Sequence, residues 1–194
     1  QPCSSAASDV YKRQAIVGAT GNVGRKTLEV IEKKGLTLGN LYLVASSKSA
    51  GKKIHFQGKD IVVSELENFD FSKVKIAFFA AGGKISEKFA EKAAKHCLVI
   101  DNSSFFRMDP DVPLIVPQVN SDALNNVKKN IIANPNCSTA QLVIALKPLH
   151  DLFVIKRIVV STYQSVSGAG KASMDELIKQ TKFCLLYTSP SPRD

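Results

Sequence analysis

Three glycines spaced three apart, Gly18, Gly21 and Gly24, stand between an apolar run and a helix-like segment. No other feature limits the possible folds of this chain as strongly. Ala15-Ile16-Val17 reads as the end of a buried strand. A helix is expected from the glycine turn to about Lys34, with Val23, Thr27, Val30 and Ile31 on one face and Gly35 as its stop. A second strand, Asn40 to Ala45, follows. Strand, glycine turn, helix and strand form the context in which a diphosphate approaches bare backbone at a helix N-terminus. The pattern therefore points to a dinucleotide, against the plainer reading of a tight turn.

The end of the second strand bears on which dinucleotide. An NAD site places an acid there for the ribose hydroxyls. This chain has Ala45-Ser46-Ser47-Lys48-Ser49-Ala50-Gly51, with hydroxyls and a cation but no carboxylate. That chemistry suits a 2′-phosphate, and NADP is the expected cofactor.

Further on, Lys53 to Phe56 and Asp60 to Val63 are expected to form a hairpin around Gln57-Gly58. Val74 to Ala80 is nearly continuous apolar sequence, as in a parallel strand covered on both faces, and ends in Ala81-Gly82-Gly83. A helix from Lys84 to His96 follows, with Ile85, Phe89 and Ala93 on one face, then a buried strand from Cys97 to Ile100. The cluster Asp101-Asn102-Ser103-Ser104-Phe105-Phe106-Arg107 comes after that strand end. It can hold a phosphate through the arginine fork, or be a turn with a surface arginine. Met108 to Pro117 is Pro-rich and extended, Ile155 to Gln164 reads as a strand, and a helix is expected from Lys171.

Asn134-Pro135-Asn136-Cys137-Ser138-Thr139 places one cysteine between the strand-like Ile131-Ile132-Ala133 and a helix-like run that is apolar on nearly every side and so expected to be buried. Asn136 suits a turn or a helix cap. At the start of a helix a thiolate is favoured, and free N–H groups are available to an oxyanion. Cys137 is thus a candidate covalent nucleophile; the alternative is an inert, buried cysteine.

Composition removes several classes. A chain of 194 residues with 44% hydrophobic and 22% charged content is globular, holding one domain or one domain and part of another. No apolar run reaches the length of a membrane helix, so no membrane partner is expected. The formal charge of +9 raises nucleic acid as a partner, but the lysines are dispersed and carry no aromatic interleaving. Cys3, Cys97, Cys137 and Cys184 form no C-x-x-C pair, which argues against a metal site and fits a reducing cytoplasm. Residues 1–14 and 184–194 lack the patterning of the rest and read as a non-native or disordered leader and tail.

Taken together, these stretches resemble the aspartate-β-semialdehyde dehydrogenase family, from about Ala15 to Phe183 and in family order. The carriers are the glycine turn, Ala45 to Gly51, Asp101 to Arg107, Asn134 to Thr139, and Ser161-Thr162-Tyr163-Gln164-Ser165-Val166-Ser167-Gly168-Ala169-Gly170. N-acetyl-glutamyl-phosphate reductases share the architecture but have a Gly-Cys-Tyr nucleophile motif, which Asn136-Cys137-Ser138-Thr139 does not match. Glyceraldehyde-phosphate dehydrogenases typically have Ser-Cys-Thr-Thr there.

The resemblance implies an α/β chain. A Rossmann-like NADP-binding domain would occupy 15–135, and the start of an α+β catalytic and dimerisation domain 136–183. It implies Cys137 as acyl-enzyme nucleophile, Gln164 as a substrate-orienting group and Asn136 as a neighbour shaping the oxyanion site. Arg107 and Asn102 would hold phosphate. Gly18, Thr20, Gly21, Asn22, Val23 and Gly24 would form the cofactor loop, and Ser46, Ser47 and Lys48 the 2′-phosphate segment. The family commonly has arginine at the position of Lys48, and lysine lacks the planar fork.

The implied reaction is NADP-dependent reduction of L-aspartyl-4-phosphate to L-aspartate 4-semialdehyde and phosphate through a Cys137 thioester, a step in the biosynthesis of lysine, threonine and methionine. Family members are homodimers. Their acid–base histidine lies in a segment beyond Phe183, and His55, His96 and His150 match no family motif. This chain is therefore expected to be an incomplete, inactive piece. The competing class is a non-catalytic NADP-binding module, which would need neither Cys137 nor Gln164.

Overall fold

The computed structural model describes residues 13–36 and 38–186, with the side chains of 185 and 186 excepted. Most of the expected leader, Cys3 included, and residues 187–194 of the expected tail lie outside the described residues.

Among the described residues seven strands form one sheet: β1 (Arg13–Val17), β2 (Asn40–Ala45), β3 (Lys53–Phe56), β4 (Lys59–Glu65), β5 (Ile76–Phe79), β6 (Leu98–Asp101) and β7 (Ile131–Ala133). Their order across the sheet is β3-β4-β2-β1-β5-β6-β7. All pairings are parallel except β3 with β4, the expected hairpin. Gln57 and Gly58 turn that hairpin with φ of 47° and 75°, the left-handed pair that suits strand twist. The strand order reverses direction at β1: β2 lies on one side and β5 on the other. Open α/β sheets bind ligands in the crevice at such a point.

Alternation along β1 feeds two cores. Ala15 and Val17 pack with Phe89, Ala90 and Ala93 of α2 (Gly83–Ala94), whereas Ile16 packs with Leu28 and Ile31 of α1 (Asn22–Lys33). With helices on opposite faces, the sheet is doubly wound, as expected.

The helix faces differ in detail from the sequence expectation. On α1 the buried stripe is Gly24, Leu28 and Ile31; Val23 and Val30 are exposed. Spacings of four and three keep that set on one side, and Val23 and Val30 point away from it. On α2 Phe89 and Ala93 are buried and Ile85 packs only at the margin. Gly35, at φ 61°, ends α1: its N–H donates to Glu32 O, and Leu36 N–H to Ile31 O, closing a Schellman turn. β1 begins at Arg13, whose carbonyl accepts from Lys75 N–H at 2.9 Å; backbone pairing there needs no apolar side chain.

The Pro-rich stretch before α3 (Pro117–Asn120) lies along the sheet edge. Ala133 N–H donates to Pro113 O and Ile115 N–H to Ala133 O.

Two further expectations fail. The helix after Cys137, α4 (Cys137–Phe153), contains no buried residue, and Ile144, Leu149, Leu152 and Phe153 are exposed. Residues 155–164, expected as a strand, pair with no strand among the described residues, and Ile158, Val159, Val160 and Tyr163 face outward. The physical reason is shared. A strand needs a ladder partner and an apolar helix needs a cover, and sequence pattern reports only the capacity for both. The helix expected from Lys171 is present as α5 (Lys171–Leu186).

Candidate functional site

The parallel ladder fixes where the motifs go. Ala80 N–H donates to Val17 O, Asn102 N–H to Phe79 O, and Asn134 N–H to Asp101 O, each at 2.8–2.9 Å. Each strand thus holds the first residue after its neighbour, along a single edge. The glycine turn, Ala81-Gly82-Gly83, the Asn102–Arg107 turn and the Asn134–Cys137 loop therefore all emerge at the carboxyl ends of the strands. Between β1 and β7 there are three strand spacings, about 14 Å at ~4.8 Å each.

At the glycine turn two residues admit no side chain. A Cβ on Gly18, at φ 85°, would lie 2.8 Å from Ala80 O; one on Gly24 would lie 2.3 Å from Gly18 O. Gly21 caps α1 without a side chain, so nothing local occupies the first N–H groups of that helix. This bare cradle fits a diphosphate. Beside it, Ser46 begins a short 3₁₀ turn over Ser47–Ser49, with Ser46, Ser47 and Lys48 exposed. Thr20 Oγ1 donates to Ser49 Oγ at 3.4 Å, joining the glycine turn to this segment. Asn22 Nδ2 lies 3.3 Å from Met174 Sδ, which brings α5 to the same turn.

Asn136 caps α4: its Oδ1 accepts from Ser138 N–H at 3.0 Å and from Ser138 Oγ at 2.7 Å. Its Nδ2 donates to Gln164 Oε1 at 3.2 Å. Cys137 is the first helical residue, is exposed, and has its Sγ 3.8 Å from Asn136 Oδ1. By helix geometry the N–H groups of Cys137 and Thr139 have no intrahelical acceptor. Cys137, Asn136 and Gln164 are therefore one cluster. Cys97, by contrast, is buried, donates to Ala93 O and has its thiol pushed up to about 11 by desolvation, an ordinary core role.

The phosphate candidates are also together. Half-buried Arg107 donates from Nε to Asn134 O at 3.0 Å and from Nη2 to Asn102 O at 3.3 Å. Asn134 Nδ2 donates to Asn102 Oδ1. The arginine thus bridges the turn after β6 to the loop that carries Cys137. Sequence reasoning missed Asn134 as the hub, and missed Ser49. It also missed the joint burial of Asp101, Ser86 and Ser103, because a carboxylate and two hydroxyls read in sequence as groups facing water. Among the described residues no histidine joins this cluster: His55 pairs with Asp60 on the edge hairpin, His96 is exposed after α2, and His150 is exposed near the far end of α4.

Comparison with known proteins agrees with the fold. The profile described as "Semialdehyde dehydrogenase, NAD binding domain" matches residues 13–127, and "Semialdehyde dehydrogenase, dimerisation domain" matches 146–193. Aspartate-semialdehyde dehydrogenase of Rickettsia bellii is 50% identical over 92% of this chain and 53% of the relative. The crystal structure of aspartate semialdehyde dehydrogenase II from Vibrio cholerae, complexed with ASA, superposes with a TM-score of 0.84 at 52% identity, covering 89% of this chain and 52% of that one. The Candida albicans enzyme with NADP gives a TM-score of 0.59 at 30% identity, covering 74% and 48%. The chain spans about half the length of the curated relatives it matches.

Proposed function

Since this chain belongs to the semialdehyde dehydrogenase family, we propose that it contributes the nucleotide-binding half and the nucleophile of an aspartate-semialdehyde dehydrogenase. The reaction is reductive dephosphorylation of L-aspartyl-4-phosphate to L-aspartate 4-semialdehyde. The observation that carries this reading is the cluster of Cys137, Asn136 and Gln164 on the sheet edge that also holds the glycine turn.

In this reading Cys137 Sγ attacks the acyl carbon, the bond from that carbon to the phosphate oxygen breaks, and a thioester forms on Cys137. The free N–H groups at the start of α4 face the developing oxyanion. Gln164, held by Asn136, orients the acyl group. Arg107 and Asn102 bind the departing phosphate. The bare turn at Gly18, Gly21 and Gly24, with Thr20, Asn22 and Val23, would hold the cofactor diphosphate. Ser46, Ser47 and Lys48 would hold a 2′-phosphate, which makes the cofactor NADP. Bound there, NADPH supplies the hydride that releases the aldehyde.

Residues 15–135 are taken as the nucleotide-binding domain and 136–183 as the opening of the catalytic and dimerisation domain, through which two copies would pair. A reducing cytoplasm suits an exposed nucleophilic thiol.

The test is covalent capture. Incubation with aspartyl phosphate should add one acyl group to Cys137, seen by intact mass and peptide mapping, and Cys137→Ser should abolish it. Acylation elsewhere, or undiminished acylation of Cys137→Ser, would sink the reading.

A further inference from the structure

The described residues bury three polar side chains, Ser86, Asp101 and Ser103, and these three bond to one another. Asp101 is fully buried at the end of β6. Its Oδ1 accepts from Ser86 Oγ of α2 at 2.6 Å and from Ser103 N–H at 3.1 Å, and its Oδ2 from Ser103 Oγ at 2.7 Å. Ser103 Oγ in turn accepts from Phe105 N–H at 3.1 Å. The turn from Asn102 to Arg107 is therefore wrapped around one carboxylate. The backbone of Asp101 makes a second link, its carbonyl accepting from Asn134 N–H at 2.8 Å. Arg107 and Asn134 then close the loop across these two arms.

Burying a carboxylate is costly unless every acceptor is satisfied, and here hydroxyl and amide donors do that, with no salt-bridge partner among the described residues. A fully satisfied polar network of this kind fixes one geometry. We propose that Asp101, braced by Ser86 and Ser103, is the positioning residue of the site. Its buried carboxylate sets the Asn102–Arg107 turn as a phosphate cradle and aligns that cradle with the loop carrying Cys137. This rests on the reading of Arg107 as the phosphate holder. Asp101 touches no reacting atom; it acts through Ser103 and Asn134.

The test is titration of the chain with inorganic phosphate, followed by the amide shifts of Asn102 and Asn134. Ser103→Ala and the near-isosteric Asp101→Asn should each weaken phosphate binding about tenfold, as expected from losing a hydrogen bond to a charged group. Leu43→Ala, a core truncation in β2 on the other side of β1, lowers thermal stability and should leave the phosphate Kd unchanged. If Ser103→Ala and Asp101→Asn lower stability yet keep the wild-type Kd, as Leu43→Ala does, the positioning role is overturned while Arg107 keeps its own. A wild-type Kd in Arg107→Ala, or no phosphate-dependent shift in the wild-type chain, overturns the reading of Arg107 and this inference with it.

Discussion

Asn136 Nδ2 donates to Gln164 Oε1 at 3.2 Å, so the residue that caps the cysteine-bearing helix also holds the side chain that sequence reasoning set beside the nucleophile. The two ends of the amide do separate things. Oδ1 caps α4 through Ser138, and Nδ2 reaches Gln164. Asn136→Asp keeps an oxygen for the cap and loses the donor. It should hold stability within about 0.5 kcal/mol, since Asn and Asp cap almost equally. Alkylation of Cys137 by iodoacetamide should slow, because a carboxylate then faces the sulfur. Asn136→Ala should cost about 1 kcal/mol by loss of the cap. Thermal melts and peptide-resolved alkylation rates separate the two variants.

Gly24 and Gly58 test two meanings of glycine. Gly24→Ala forces a Cβ against the backbone of Gly18 and Ala19, which cannot give way cheaply. A loss of about 3 kcal/mol is expected, the upper part of the overpacking range, together with loss of dinucleotide binding. Gly58→Ala meets no atom within 4 Å and bears only the strain of φ 75°, about 1–2 kcal/mol. It should leave dinucleotide affinity unchanged. Melts in the presence and absence of NADPH read out both effects.

Lys48→Glu places a carboxylate where a 2′-phosphate is expected. NADPH affinity should fall at least about tenfold, roughly 1.4 kcal/mol. NADH affinity should hold or rise. Fluorescence titration with the two cofactors gives the ratio, and an unchanged ratio would move the 2′-phosphate site away from Ser46, Ser47 and Lys48.

Cys97 supplies a pH prediction. Desolvation raises its folded pKa from 9.0 to about 11. The folded state therefore favours the protonated thiol, and the stability tied to it is intact below pH 9 and is lost as pH rises towards 11. Cys97→Ala, which leaves nothing to ionise, should be less stable at pH 7 by about 1 kcal/mol and should lose less than the wild type between pH 9 and 11. Denaturant melts at pH 7, 9 and 10.5 test this.

The nucleotide-binding half was legible because its signals are local. Gly18, Gly21 and Gly24 announce a turn that at Gly18 and Gly24 only glycine can make, and the apolar runs at 15–17, 74–80 and 97–100 need cover on both faces wherever they lie. The stripe on α1 is not legible because Val23, Leu28, Val30 and Ile31 are all apolar, and only the docked helix shows that Gly24, Leu28 and Ile31 are the set turned to the sheet. Residues 155–164 and the flank of α4 were misread for the opposite reason: their burial depends on surfaces that no local pattern specifies. The Asp101–Arg107 cluster is visible in the sequence, but the burial of Asp101 with Ser86 and Ser103 is not, because a carboxylate and two serines look, in one dimension, like exposed positions.

Val17, Phe79 and Asp101 each offer a carbonyl to the first residue beyond the next strand. The motifs therefore hang from a common rail, each fixed in height by the strand that carries it. A one-residue deletion within β6 would draw Asn102 and Arg107 back by about 3.3 Å and turn their side chains to the opposite face. The glycine turn, two strands away, would stay where it is. Such a protein could still hold a dinucleotide while its anion grip faced the wrong way, so cofactor retention alone is a poor proxy for an intact catalytic edge.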